Sequence, residues 1–300
     1  MNGDIKNLLN GSSHPDIQKA QLGTLLEQAQ AIGFRNENAF FVSPDGEDGR
    51  AGTSWDQSFK TIQHALNVAR RVNGALDYSK NRLKYVYVWP GQYNEQVLWS
   101  GYNIHLMGVQ PFGNDDYGPI LNYDGSSGTP AAMAFSGAGC SIRGLQINMT
   151  TAFPALYLSI ADGCLIDNVT IKGNGTSTIG IWGANVKKSI ISNCHIYGGF
   201  ATAGISVGQG DGGDTYFCAS EISHNKISSS GTVAILVHAN AVASVELASF
   251  IHQNLIAGDD TTGIHNDAAG AYVLISDNWI QAGTALTDDG TGAADNHTAS

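Results

Sequence analysis

Three hundred residues carry a formal net charge of −11, with only 14 % charged residues and 37 glycines. That balance disfavours non-specific binding to nucleic acid or to an anionic membrane. So much glycine suits tight turns and close-packed small side chains better than long helices. Cys140, Cys164, Cys194 and Cys218 form no CxxC pair, so no zinc site and no other cofactor is expected.

Taken from the start, Met-Asn-Gly-Asp-Ile-Lys lacks the apolar stretch of a signal peptide, and no run reaches the roughly 18 apolar residues of a membrane span. Neither is expected, and the sequons at Asn148, Asn168 and Asn174 carry no expectation of glycosylation. Residues 1–38 read as an N-terminal helical anchoring segment. Ser13 can cap a helix with Pro15 in its first turn, and Leu22, Leu25, Leu26 and Ala29 lead to Gly33 as the stop.

Residues 39–83 read as a strand and a capping helix. The strand is expected over 39–43, a Gly/Asp-rich loop follows, and the helix spans 58–73 with Ile62, Leu66 and Ala69 on one face. Such a helix would cover unpaired backbone at the end of a sheet. A strand over 85–93, closed by Pro90-Gly91, and another over 103–108 come next.

From Ile142 the chain repeats. Ile-x-x-x-x-Ile occurs at Ile142/Ile147, Ile166/Ile171, Ile191/Ile196, Ile222/Ile227, Ile251/Ile256 and Ile275/Ile280, with spacings of 24, 25, 31, 29 and 24. A second ladder, a small residue followed by Ile or Leu, runs in phase at Ala155-Leu156, Gly180-Ile181, Gly204-Ile205, Ala234-Ile235, Gly263-Ile264 and Ala285-Leu286. Between the paired isoleucines lies a polar bend carrying Asn168, Asn193, Asn225, Asn254 and Asn278, with Gly144 in the first copy. Asparagine and glycine visit left-handed backbone cheaply, and stacked asparagines can hydrogen-bond from coil to coil. The pattern predicts an all-β, right-handed parallel β-helix of three-strand coils over 84–300, ending in a polar tail, with long coils bulging as loops. Cys140 and Cys164 share one register with Ser189, Ser220 and Ser249, so stacking would bring them close enough for a disulfide, although buried free thiols are the expectation.

The runs Phe41-Val42-Ser43-Pro44-Asp45-Gly46, Phe59-Lys60-Thr61-Ile62-Gln63-His64-Ala65 and Val88-Trp89-Pro90-Gly91-Gln92-Tyr93 resemble the opening segment of pectin-lyase-like β-helix proteins. That superfamily includes pectinases, carbohydrate-binding repeat proteins and bacteriophage tailspikes. The resemblance spans roughly residues 40–287 and implies the fold, with chemistry to be argued from the site.

In the enzymes of this superfamily the working groove follows the column that matches the small-Ile ladder. Alternation places Tyr157, Trp182, Ser206, Leu236 and His265 on its outer face. No arginine follows Arg143, and Lys172, Lys187, Lys188 and Lys226 fall outside that column, so elimination chemistry has no base. The polygalacturonase motifs are absent apart from Asp259-Asp260. Asp211, Asp214 and Asp267 follow the ladder in loops and are the candidate catalytic carboxylates of a glycoside hydrolase. Tyr157 and Trp182 are the candidate glycan platform. His224 and His252 occupy bends of adjacent coils and, without a carboxylate partner, read as polar surface rather than a metal site.

The expectation is therefore a bacteriophage virion structural protein: a spike, fibre or capsid decoration, made in the host cytoplasm and displayed on the virion surface. Its partners would be other virion proteins through residues 1–36, two further copies in a homotrimer, and a host surface polysaccharide. Nucleic acid and membrane insertion are not expected. The alternative is a tailspike-type glycan-degrading enzyme using the loop aspartates.

Overall fold

The computed structural model describes residues 38–72, 75–76, 82–109, 118–125, 131–209, 215–229, 231–238, 241–242, 248–258, 262–267, 272–288, 291–293 and 297–298. The N-terminal segment, Asp211, Asp214 and Asp259-Asp260 lie outside them.

Inward isoleucines stack because each coil is a near-copy of the last. Ile142, Ile166, Ile191, Ile222, Ile251 and Ile275 pair in register along one parallel sheet. Ile147, Ile171, Ile196, Ile227, Ile256 and Ile280 do so along a second. The small-Ile ladder, from Leu156 to Leu286, forms the third. Among the described residues the three sheets hold 10, 9 and 10 strands in sequential order, each strand hydrogen-bonded to its counterpart one coil away. This is the right-handed parallel β-helix expected from the repeat. The isoleucines of all three columns are essentially fully buried and belong to one hydrophobic core.

The residue before each third-sheet isoleucine is small for a steric reason. A Cβ built on Gly180 would lie 2.5 Å from the Gly204 carbonyl oxygen, a distance real side chains do not adopt.

The asparagine bend differs from the expected single column. It is two columns, offset by one residue. The first, two residues after the leading isoleucine, is left-handed: Gly144, Asn168, Asn193, His224, Gln253 and Asp277, with φ from 53° to 66°. The second, one residue later, turns inward and holds Asn225, Asn254 and Asn278, each buried. There the side chains bond up the stack, Asn225 N–H donating to Asn254 Oδ1 at 3.0 Å and Asn254 N–H to Asn278 Oδ1 at 3.1 Å. Tolerance of left-handed backbone and amide stacking are separate uses of asparagine, and sequence spacing alone merges them.

A serine ladder closes the opposite corner. Cys164 N–H donates to Ser189 Oγ, Ser189 N–H to Ser220 Oγ, and Ser220 N–H to Ser249 Oγ, at 3.0–3.2 Å. Cys140 and Cys164 continue this column as free, buried thiols, as do Cys194 and Cys218 elsewhere in the wall.

The first strand, Ala39–Val42, is also the first strand of the first sheet, pairing with Lys84–Val88. The helix α1 is shorter than the sequence suggests, spanning Ile62–Ala69. Phe59 instead bonds as a strand, its N–H to the Phe41 carbonyl and its carbonyl to Ser43 N–H. Asp48 accepts from Lys60 N, Thr61 N and Thr61 Oγ1, Glu95 accepts from Ile62 N and Gln63 N, and the N-cap Thr61 Oγ1 accepts from His64 N, so two carboxylates and a hydroxyl satisfy the start of the helix. Pro90 likewise ends one strand at Val88 and a new one, Gly91–Asn94, begins in the second sheet, so the predicted single strand over 85–93 is two.

Asp167 ties neighbouring coils. It accepts from Arg143 at 2.7 Å, Asn193 at 2.7 Å and Ser192 at 3.1 Å. Burial alone would raise its carboxyl, yet these hydrogen bonds outweigh it and hold the group below its ordinary value of 3.8. A carboxylate depressed in the folded state contributes stability above its unfolded value and loses it as pH falls through the folded value. Asp167→Asn should therefore flatten the fall in denaturation midpoint on acidification below about pH 4. An acid limb identical to wild type would refute this.

Candidate functional site

Alternation and register together define the outer face of the third sheet. Leu98, Ala134, Tyr157, Trp182, Ser206, Leu236, His265 and Thr287 occupy one column, each pairing with the next across a coil. Tyr157 and Trp182 are brought together: their ring centroids lie 4.5 Å apart with an interplanar angle of 36°. The indole Nε1 donates to the Gln209 carbonyl at 3.0 Å, which fixes the tryptophan's orientation on the wall. Both rings remain half-buried rather than covered.

Toward the helical end the same face becomes a depression of about 320 Å³ whose wall includes Ser100, Ser136, Ser159 and Tyr157. Ser159 reaches it through a register break between Leu158 and Ile160, a local bulge that re-aims one side chain. Arg70, which follows α1, supplies the end wall.

Beyond Trp182 the face changes character. Ser206 Oγ and His238 Nε2 are 2.9 Å apart. Asp267 stacks one coil further, its N–H donating to the Val237 carbonyl at 2.9 Å. Burial pushes His238 below the usual histidine range, partly offset by the negative charge of Asp267. Ser206 is wholly buried, so the contact seals the wall rather than presenting a nucleophile. Asp267 lies three coils beyond Trp182, about 14 Å along the axis at 4.8 Å per coil. Its companions Asp211 and Asp214 lie outside the described residues.

His224 and His252 do approach, with ring centroids 6.0 Å apart. The expectation that they lack a carboxylate is corrected: Glu221 sits 3.2 Å from His252 Nε2. Two consecutive coils supply these residues, Glu221 and His224 from one and His252 from the next, so the contact is invisible without the register. Among the described residues, no group of three His, Cys, Asp or Glu is arranged to hold a metal ion.

Arg70, Ser159 and His238 were not singled out from the sequence. The alternation from Trp99 would have marked Ser100, but Arg70 arrives from the capping helix and Ser159 from a bulge, and neither obeys the repeat.

No protein-family model matches the chain, and no curated protein matches it. Among solved structures it is similar to the pectin methylesterase from Aspergillus niger, at 14 % identity over 88 % of this chain and 85 % of that one, with a TM-score of 0.59. It also aligns with pectin methylesterase PemA from Erwinia chrysanthemi, at 13 % identity over 87 % and 92 % of the two chains, TM-score 0.48. Pectate lyase Pel9A aligns at 13 % identity over 88 % and 80 %, TM-score 0.49. At such identities the likeness is one of architecture alone: the chain has the pectin-lyase-like right-handed parallel β-helix fold.

Proposed function

We propose that this protein binds a saccharide along the outer face of its third sheet. The carrying observation is the Tyr157–Trp182 ring pair, 4.5 Å between centroids, at the edge of a long shallow depression. Sugar rings present C–H faces to aromatic rings and hydroxyls to polar neighbours, and the serines beside Tyr157 supply the latter. Rows about 4.8 Å apart repeat at close to the length of one hexose, so successive coils can meet successive sugars.

We place this activity on a bacteriophage virion, with the chain as a spike, fibre or capsid decoration. What supports this setting is the resemblance of residues 41–93 to a superfamily that includes tailspikes, together with an acidic, well-solvated exterior at a net charge of −11. The host polysaccharide would be the ligand, and attachment through residues 1–36 with self-association as a trimer the means of display. Mass spectrometry of purified particles tests the setting, because a virion protein must be recovered from them.

Calorimetric titration with fragments of the host surface polysaccharide tests the binding. Trp182→Ala is expected to weaken it about ten-fold, equivalent to about 1.4 kcal/mol, with a denaturation midpoint near that of wild type. Equal affinities for the variant and the wild type would remove the ring pair from the site. Hydrolysis of the bound chain is the second reading, favoured by Asp267 on the same face as the rings. It requires new reducing ends in those same mixtures.

A further inference from the structure

On a chain of net charge −11, large apolar side chains left in water are the exception, and here they gather. Among the described residues eight such side chains are exposed, and five of them, Phe250, Leu255, Tyr272, Leu274 and Trp279, belong to two adjacent coils. Trp279 is the most open, at 53 %. Alternation explains their direction: Ile251, Ile256, Ile275 and Ile280 point into the core, so the residues beside them point out. Monomeric surfaces scatter such residues singly, whereas a contiguous group marks a contact surface.

The group straddles the bend between the first and second sheets. Phe250 pairs in register with Leu274 on the first sheet, and Leu255 with Trp279 on the second. One coil earlier the same two columns hold Glu221 and Lys226. Each coil therefore carries two outward residues five positions apart, one per sheet, and their characters match: Glu221 with Lys226, Phe250 with Leu255, Leu274 with Trp279. Glu221 uses Oε1 for both Ser223 and His252, which leaves Oε2 unengaged among the described residues. Lys226 is exposed and enters no ion pair among the described residues.

We infer that copies of this chain meet side by side and parallel at this corner, the first-sheet face of one against the second-sheet face of the next. The inference rests on the self-association put forward above and gives it a surface. Rotation about an axis parallel to the β-helix keeps every residue at its own height. Two residues five positions apart in one coil differ in height by a small fraction of the step of about 4.8 Å. Across such an interface Glu221 therefore meets Lys226, Phe250 meets Leu255, and Leu274 meets Trp279. Two acidic chains repel unless they meet where charges oppose or are absent, and this corner offers both. An antiparallel pairing centred on the Phe250 row would set Glu221 and Lys226 against Leu274 and Trp279, desolvating charges that have no partner. Each copy presents both halves of the contact, so the assembly closes as a ring.

Light scattering of the full chain at micromolar concentration is the test, with far-ultraviolet circular dichroism as the check on folding. The wild type is expected to have the mass of an oligomer. Trp279→Arg should raise the concentration at which it assembles about 30-fold, the loss typical of an interface hot spot, with an unchanged spectrum. Glu221→Lys and Lys226→Glu alone should each weaken assembly about five-fold, and the two together should restore it, which a misfolded chain cannot do. Saccharide affinity per chain, a property of the third sheet, should stay fixed throughout, which keeps this test separate from the binding reading. An oligomer that persists unchanged in Trp279→Arg overturns the surface and leaves self-association standing. A double charge reversal that assembles no better than either single one overturns the parallel pairing. A wild type that stays a monomer overturns the surface and the self-association together.

Discussion

Asn254→Ala is expected to destabilise the protein by about 3 kcal/mol or more, whereas Gln253→Gly, its immediate neighbour, should be neutral or slightly stabilising. The reason lies in the two columns of the bend. Asn254 is buried, and its Oδ1 accepts from both the backbone N–H and the Nδ2 of Asn225 at 3.0 Å. Its own Nδ2 donates to the Ile222 carbonyl at 3.0 Å and to Asn278 Oδ1 at 2.9 Å. Alanine removes these contacts, and each buried group left without a partner costs about 1–3 kcal/mol. Because Asn225 and Asn278 are joined only through Asn254, the loss spreads to three coils. Gln253 instead has φ of 55° and an exposed side chain. Glycine there relieves left-handed strain worth about 1–2 kcal/mol, less its larger entropy in the unfolded chain. Denaturant midpoints for the two variants measure the contrast directly. Equal losses at 253 and 254 would show that the bend acts as one unit and that the ladder has no special weight.

Ile191→Ala is the second large effect. Ile191 is 1 % exposed and lies between Ile166 and Ile222 in register. The expected cost is roughly 2–5 kcal/mol, the range for deleting a buried branched side chain and leaving a cavity. A mid-stack position should sit high in that range, since the coils on either side are held at sheet spacing by their own backbone hydrogen bonds and relax little. A midpoint shift no larger than that of an exposed control, such as Ile190→Ala on the outer face, where Ile190 is 39 % exposed, would contradict the packing described here.

The two results bear on function through rigidity. The rings and the serines of the groove come from four successive coils, Tyr157 and Ser159 sharing one, so the spacing along the groove is the spacing of the coils. A ladder that holds the bend and isoleucines that hold the strands also hold the site. Loosening the stack should weaken saccharide binding even where no contact residue is altered.

What the sequence determined by itself is whatever one coil must do in the presence of its copies. Inward isoleucines, small residues ahead of the third strand, and the outer column from Tyr157 to His265 were all legible, because a neighbouring coil imposes the same demand at the same offset and the demand becomes a period. Tertiary structure decided what has no period. The asparagines separated into two columns only when backbone torsion and burial distinguished residues one position apart. Helix α1 began at Ile62 rather than near residue 58 because Phe59 was drawn into strand bonding with Phe41, a partner 18 residues earlier. Glu221 met His252 from the preceding coil, and Ser159 reached the groove through a bulge. Arg70 came to the same groove from the C-terminal end of the capping helix. Periodicity records contacts between equivalent positions, while contacts between a repeat and a unique element leave no mark in spacing and exist only once the chain has closed on itself.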